Sequence, residues 1–159
     1  MKLNGQSVPF KVVVTCFLVL QLIGFGVAIV QIHDRTAFSV EKTILHYRGA
    51  ESEAEKEMFL PQSYRSLLSV AHVHTMSQPL ILFLIGLLFV FSSLKDGMKI
   101  FFVLLSFGSC LLSNLSPWLL RYVSAKTAIF FPLSSALMIG TFLFMAAFIL
   151  YDLWREEES

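Results

Sequence analysis

Four apolar runs, each long enough to cross a bilayer, constrain this 159-residue chain more than any other feature. They are VPFKVVVTCFLVLQLIGFGVAIVQI (residues 8–32), the stretch from Leu67 to Ser93, MKIFFVLLSFGSCLLSNLSPWLL (98–120) and TAIFFPLSSALMIGTFLFMAAFILYDLW (127–154). A hydrocarbon core about 30 Å thick takes about 20 residues of helix. Lipid offers no partner to an open strand, so the spans must be helical. With 56% apolar and 14% charged residues, the composition departs from the roughly 25% charged residues of soluble domains. The expectation is an all-α integral membrane four-helix bundle forming a single domain over residues 1–159. Its spans run near 10–32, 67–93, 98–120 and 127–151. The first run is too long for a signal-peptide core and lacks a small-x-small cleavage site, so it reads as a retained anchor.

The connections refine this picture. SLKDGMK and LRYVSAK are short, which makes the last three spans antiparallel neighbours. Residues 33–66 form the one sizeable extramembrane piece. Within it, SVEKTILHYRG predicts a short helix with Ser39 as N-cap and Gly49 as its stop. ESEAEKE predicts a solvated helix or loop, after which Pro61 and Ser63 start the second span. An even number of spans puts both termini on one side. Counting Lys and Arg favours the opposite face, the one carrying residues 33–66, as cytoplasmic. A short tail with Lys2 and Lys11 ahead of an anchor is, however, the usual non-translocated arrangement. We therefore place the termini in the cytoplasm and the chain in a bacterial inner membrane.

Polar chemistry gathers at the end of the bundle away from the termini. All four histidines lie there: His33, His46, His72 and His74. So do Arg48, Arg65 and Arg121, together with Asn114, Ser116, Trp118, Tyr122, Ser134 and Ser135. Polar groups within spans usually face the bundle interior and often mark function. AHVHTMSQP (71–79) concentrates this at the mouth of the second span. At about 100° per residue, His72 and His74 point to nearly opposite sides of a regular helix and cannot serve one metal ion together. Either one is a ligand and the other a structural hydrogen bonder, or they serve two sites, or the helix unwinds near Pro79, whose ring denies a hydrogen bond to the Thr75 carbonyl.

Three chemistries suit this cluster. A b-type haem needs one or two axial histidines from facing elements. His72 or His74 would supply one, with His46 or the other member of the pair opposite. Arg48, Arg65 and Arg121 would pair with propionates. Phe83, Phe107, Phe130 and Phe131 would line the ring slot. Zinc or copper on His46, His72 and His74, with Met76 as a soft ligand, is the second chemistry. A quinone or lipid-headgroup pocket lined by His and Arg donors is the third.

The AHVH stretch resembles the H-x-H of bacterial haem-containing membrane families, including NnrS-like proteins and relatives of the haem-copper oxidases. That resemblance implies haem b as cofactor, although TMSQP departs from the small or glycine residues that usually follow. The layout of LHYRG, PQSYRSLLSVAHVH, SPWLLRY and a terminal YDLW is similar to small four-span proteobacterial membrane proteins. It implies that Tyr47, Arg48, Gly49, His72, His74, Pro117, Trp118, Arg121 and Tyr122 share one functional face.

Several classes are excluded. There is no glycine-rich phosphate loop, C-x-x-C-H or H-E-x-x-H. No basic stripe suggests nucleic acid. No acid lies deep in a span, which argues against a proton-coupled pump. Cys16 and Cys110 read as small apolar residues. Serines 106, 109 and 113, on one face with Cys110, read as a close helix-packing surface. The functional expectation is haem b binding tied to quinone and cytochrome electron transfer, with a periplasmic cytochrome or larger respiratory complex as partner. The alternatives are an accessory or assembly subunit of a larger membrane complex, and a metal or small-ligand sensor. No catalytic residue is assigned.

Overall fold

The computed structural model describes residues 3–50 and 59–155; the acidic run ESEAEKE lies outside them. Among the described residues five α-helices follow in order: α1 (Val8–Thr36), α2 (Val40–Arg48), α3 (Tyr64–Val90), α4 (Asp96–Tyr122) and α5 (Phe130–Trp154). A 3-10 turn, Ala125–Ile129, leads into α5. Helices α1, α3, α4 and α5 with its lead-in are long and apolar enough to span a membrane. The all-α four-span bundle with a short helix between the first two spans is therefore what the chain forms.

Local chemistry sets the boundaries. The Ser39 hydroxyl accepts from the Lys42 amide at the start of α2, and the Ser63 hydroxyl accepts from the Ser66 amide at the start of α3. Both are N-caps. Gly49 ends α2 with φ 79° and ψ 178°, a conformation essentially confined to glycine. This turn lays the returning chain beside α2: the Ala50 amide donates to the Phe59 carbonyl and the Gln62 amide to the Tyr47 carbonyl. A Cβ at position 49 would sit 2.7 Å from the Phe59 carbonyl oxygen and 2.9 Å from the Pro61 nitrogen. Gly49→Ala is expected to lower stability by about 2 kcal/mol, measured by thermal unfolding in detergent.

Helix α5 is the centre of the bundle and packs against α1, α3 and α4. The solid core occupies the half nearest the termini: Val14 and Leu18 of α1, Ile85 and Phe89 of α3, and Phe142, Met145, Ile149 and Leu153 of α5. Phe25 stacks on Phe142 at 4.1 Å between ring centroids, and Phe102 on Phe144 at 4.0 Å. The serine face of α4 is buried at Ser106, Ser109 and Cys110, in keeping with close packing. Cys16 instead lies on the outward face.

Two details differ from the sequence reading. Helix α3 runs unbroken through Pro79, so the histidine pair is not rearranged by unwinding. Asp152, read as outside the spans, sits in the last turn of α5 and is 3% exposed. Its carboxylate accepts from the Ser93 amide and, at 2.8 Å, from the Ser93 hydroxyl, with Arg155 3.8 Å away. This anion ties the α3–α4 turn to the end of α5.

Candidate functional site

The half of the bundle away from the termini is hollow. α1 leans on α5 and α2, whereas α3 packs against α4 and α5. Between them lies a chamber of about 420 Å³, within the range of about 300–1,000 Å³ typical of small-molecule sites. Every helix contributes to its wall. Along α1 the lining reaches from Arg35 down to Phe25, a depth of about 15 Å at 1.5 Å per residue. The upper wall carries Arg35, His46, Tyr47, Gln62 and Trp118, and the lower wall Phe25, Met138 and Ile139.

One hydrogen-bond chain gives the chamber a defined polarity. It begins at the Cys110 carbonyl, which can only accept, and the Asn114 Nδ2 donates to it at 2.9 Å. The same Nδ2 donates to the Gln78 Oε1 at 2.8 Å. The amide orientation of Asn114 thus dictates that of Gln78, whose Nε2 then meets the His74 Nδ1 at 3.0 Å. An amide nitrogen has only protons to offer, so Nδ1 accepts and the proton of neutral His74 resides on Nε2. A backbone carbonyl in α4 thereby sets the tautomer of a histidine in α3. The result is a chamber-wall imidazole whose Nε2–H has no partner among the described residues.

A parallel arrangement holds His46. The Gln62 Oε1 accepts from the Ser66 hydroxyl at 2.8 Å, leaving the Gln62 Nε2 to face the His46 Nε2 at 3.4 Å. Burial keeps the His46 pKa below its ordinary 6.5, and the Arg35 charge adds to that effect. Tyr47 is pushed up to about 12 by burial, which Arg35 opposes. Both side chains are therefore neutral at pH 7. Arg35 itself has no hydrogen-bond or ion-pair partner among the described residues.

The depressed pKa of His46 has a consequence for stability. The folded state binds fewer protons than the unfolded one around and below pH 6.5, so the contribution is present above that value and lost as pH falls. Thermal stability is expected to decline between about pH 7 and pH 5, and His46→Gln, which still meets Gln62, is expected to decline less. Equal slopes for the two proteins would rule out His46 as the source.

The structure brings His46 and His74 to one chamber and leaves His72 outside its lining. His72 is exposed on the other side of α3, as the 100° spacing requires. Among the described residues no group of three or more His, Cys, Asp or Glu side chains is placed to hold a metal ion. Arg48 donates to the Leu120 carbonyl and Arg121 to the Gln62 carbonyl, each at 3.3 Å; both arginines brace the cap against α4. Arg65 is exposed and outside the chamber lining. Of the four phenylalanines, Phe131 lines the chamber while Phe83, Phe107 and Phe130 face outward. Trp118 lies between Tyr64 and Tyr122, with centroid distances of 5.7 and 5.9 Å.

Sequence reasoning overlooked Gln78 and Arg35. Gln78 lies four residues after His74, the spacing at which helix side chains meet. Arg35 lies four residues after Gln31, and both line the chamber. It joins the site because α1 continues to Thr36, past the apolar run.

Residues 37–159 match the family Aq_1264_TM, described as a transmembrane helical domain. The match covers α2 to α5 and begins just after α1. No curated protein and no solved structure matches.

Proposed function

We propose, for a chain that belongs to the Aq_1264_TM family of transmembrane helical domains and crosses the membrane four times, a role in holding a quinone-type molecule within the chamber. The observation that carries this reading is the chain from the Cys110 carbonyl to the His74 Nε2–H. Donors in an apolar setting need acceptors, and a quinone carries carbonyl oxygens at two ends of one ring. His74 is the donor on α3. The neutral Tyr47 hydroxyl and Arg35, which has no hydrogen-bond or ion-pair partner among the described residues, supply donors at the upper wall. Trp118 and Phe131 offer aromatic edges and faces. A ligand of this kind links the protein to quinone-dependent electron transfer, as a subunit of a larger respiratory complex or beside a periplasmic cytochrome. The termini are cytoplasmic in this reading, and the chamber opens in the periplasmic half of a bacterial inner membrane.

Haem b is the second reading, favoured by two imidazoles lining one chamber from α2 and α3. Ligation through the His74 Nε2 requires the proton on Nδ1. The Gln78 amide would then have to turn and face the Asn114 Nδ2 donor to donor, at a cost of about 1–3 kcal/mol. The donor set therefore suits a carbonyl better than an iron.

Trp118 is a built-in reporter. In a Trp154→Phe background it is the remaining tryptophan, and it lines the chamber. Titrating a short-chain benzoquinone into the protein in lipid nanodiscs is expected to quench its fluorescence saturably, with one ligand per chain. Quenching that stays linear in quinone concentration would count against the reading.

A further inference from the structure

The chamber is not evenly enclosed. Its lining residues on α2, α4 and α5 are all buried or half-buried. The exposed ones all belong to α1 and α3: Gln31 and Arg35 on the first, Ser66, Val70 and His74 on the second. The open side is thus the gap between α1 and α3. It lies below the mouth of the span, since His74 is seven residues, about 10 Å at 1.5 Å per residue, along α3 from Leu67, where the apolar run begins, about a third of a 30 Å core. A histidine N–H and a glutamine facing hydrocarbon through an open slot are costly unless something covers them.

The α1 side of this gap has little relief. Gly24, Ala28, Gln31 and Arg35 recur at helical spacing and share one face. A Cβ added to Gly24 meets nothing within 4 Å. Below the polar head site this face therefore carries only a methyl group and a hydrogen. An extended hydrocarbon chain fits such a track, and a bulky group does not.

We infer that the ligand is a long-tailed quinone whose polyprenyl chain leaves the chamber sideways, between α1 and α3, over Ala28 and Gly24. This rests on the chamber taking a quinone-type head. The head reaches its site from the bilayer and not from water, and α1, the helix outside the family match, forms one lip of that portal.

Gly24→Phe tests the inference, because its side chain grows into open space and leaves the packed core untouched. Gly24→Leu, at the same position outside the chamber lining, is the second variant. Both are titrated in nanodiscs, by Trp118 fluorescence in the Trp154→Phe background, with a benzoquinone bearing one isoprene unit and with a long-chain polyprenyl benzoquinone. Circular dichroism and size-exclusion profiles matching the parent establish folding. The expected result is binding of the long-chain quinone weakened by about tenfold or more, with the short-chain quinone changed by less than about twofold. Equal weakening of both quinones in both variants, or no weakening of either, would overturn the sideways tail. Failure of the parent protein to bind the short-chain quinone would instead overturn the head site, and the tail inference with it.

Discussion

Asn114→Leu is expected to weaken short-chain quinone binding by at least about tenfold and to destabilise the bundle by about 2 kcal/mol. Leucine has similar bulk but no donor. The Cys110 carbonyl and the Gln78 Oε1 each lose the Asn114 donor; the carbonyl keeps its helical amide and Oε1 the weak Cys110 thiol, so each lost bond costs about 1 kcal/mol. The larger effect is informational. Without Asn114 only the Cys110 thiol, a weak donor 3.6 Å from the Gln78 Oε1, is left to orient that amide, so the imidazole is freer to carry its proton on either nitrogen. A tautomer with Nδ1–H presents a lone pair to the quinone carbonyl. Nitrogen-15 spectra of labelled histidine provide the check: His74 should be an Nε2–H tautomer in the parent protein and a mixture in the variant. A variant that keeps both the single tautomer and full affinity would remove Asn114 from the site.

Asp152→Ala is expected to cost about 3 kcal/mol, the largest loss of stability of any substitution considered. The carboxylate is buried and accepts two bonds from Ser93. Charge-assisted bonds of this kind are roughly twice as strong as neutral ones. Removing the carboxylate takes both charge-assisted bonds from the turn at Ser93 and the nearby charge from Arg155. Asp152→Asn keeps an acceptor for Ser93 and should lose less. Because Asp152 lies at the end of the bundle opposite the chamber, the folded fraction of either variant should still bind quinone as the parent does. Chemical unfolding in detergent measures the first expectation and Trp118 quenching the second.

Length and hydropathy made the architecture readable, because a bilayer leaves an apolar run of this length no choice but helix. The small helix α2 was readable too: Ser39 and Gly49 mark its ends by capping chemistry, and both act there as expected. The separation of His72 from His74 followed from helical periodicity alone. The partners of His74 did not. Gln78 and Asn114 meet across two helices, and no periodicity within one span reports which face of α4 turns toward α3. The arginines misled for a related reason. Arg48 and Arg121 look available in sequence, but the Leu120 carbonyl in the last turn of α4, left without a helical partner, takes the first and the Gln62 carbonyl just ahead of α3 takes the second. Arg35, placed beyond the apolar run and so left out of the site, is the one that lines the chamber. Asp152 went unnoticed as structure because its partner, Ser93, lies in a turn far away in sequence.

The most direct test of the quinone reading is the absorption spectrum of an organic extract of the protein, purified in mild detergent from cells containing both quinone and haem. One molecule per chain with an ultraviolet quinone band that bleaches on borohydride reduction is the expected result. A haem Soret band in its place, or an extract with no stoichiometric chromophore, would contradict it.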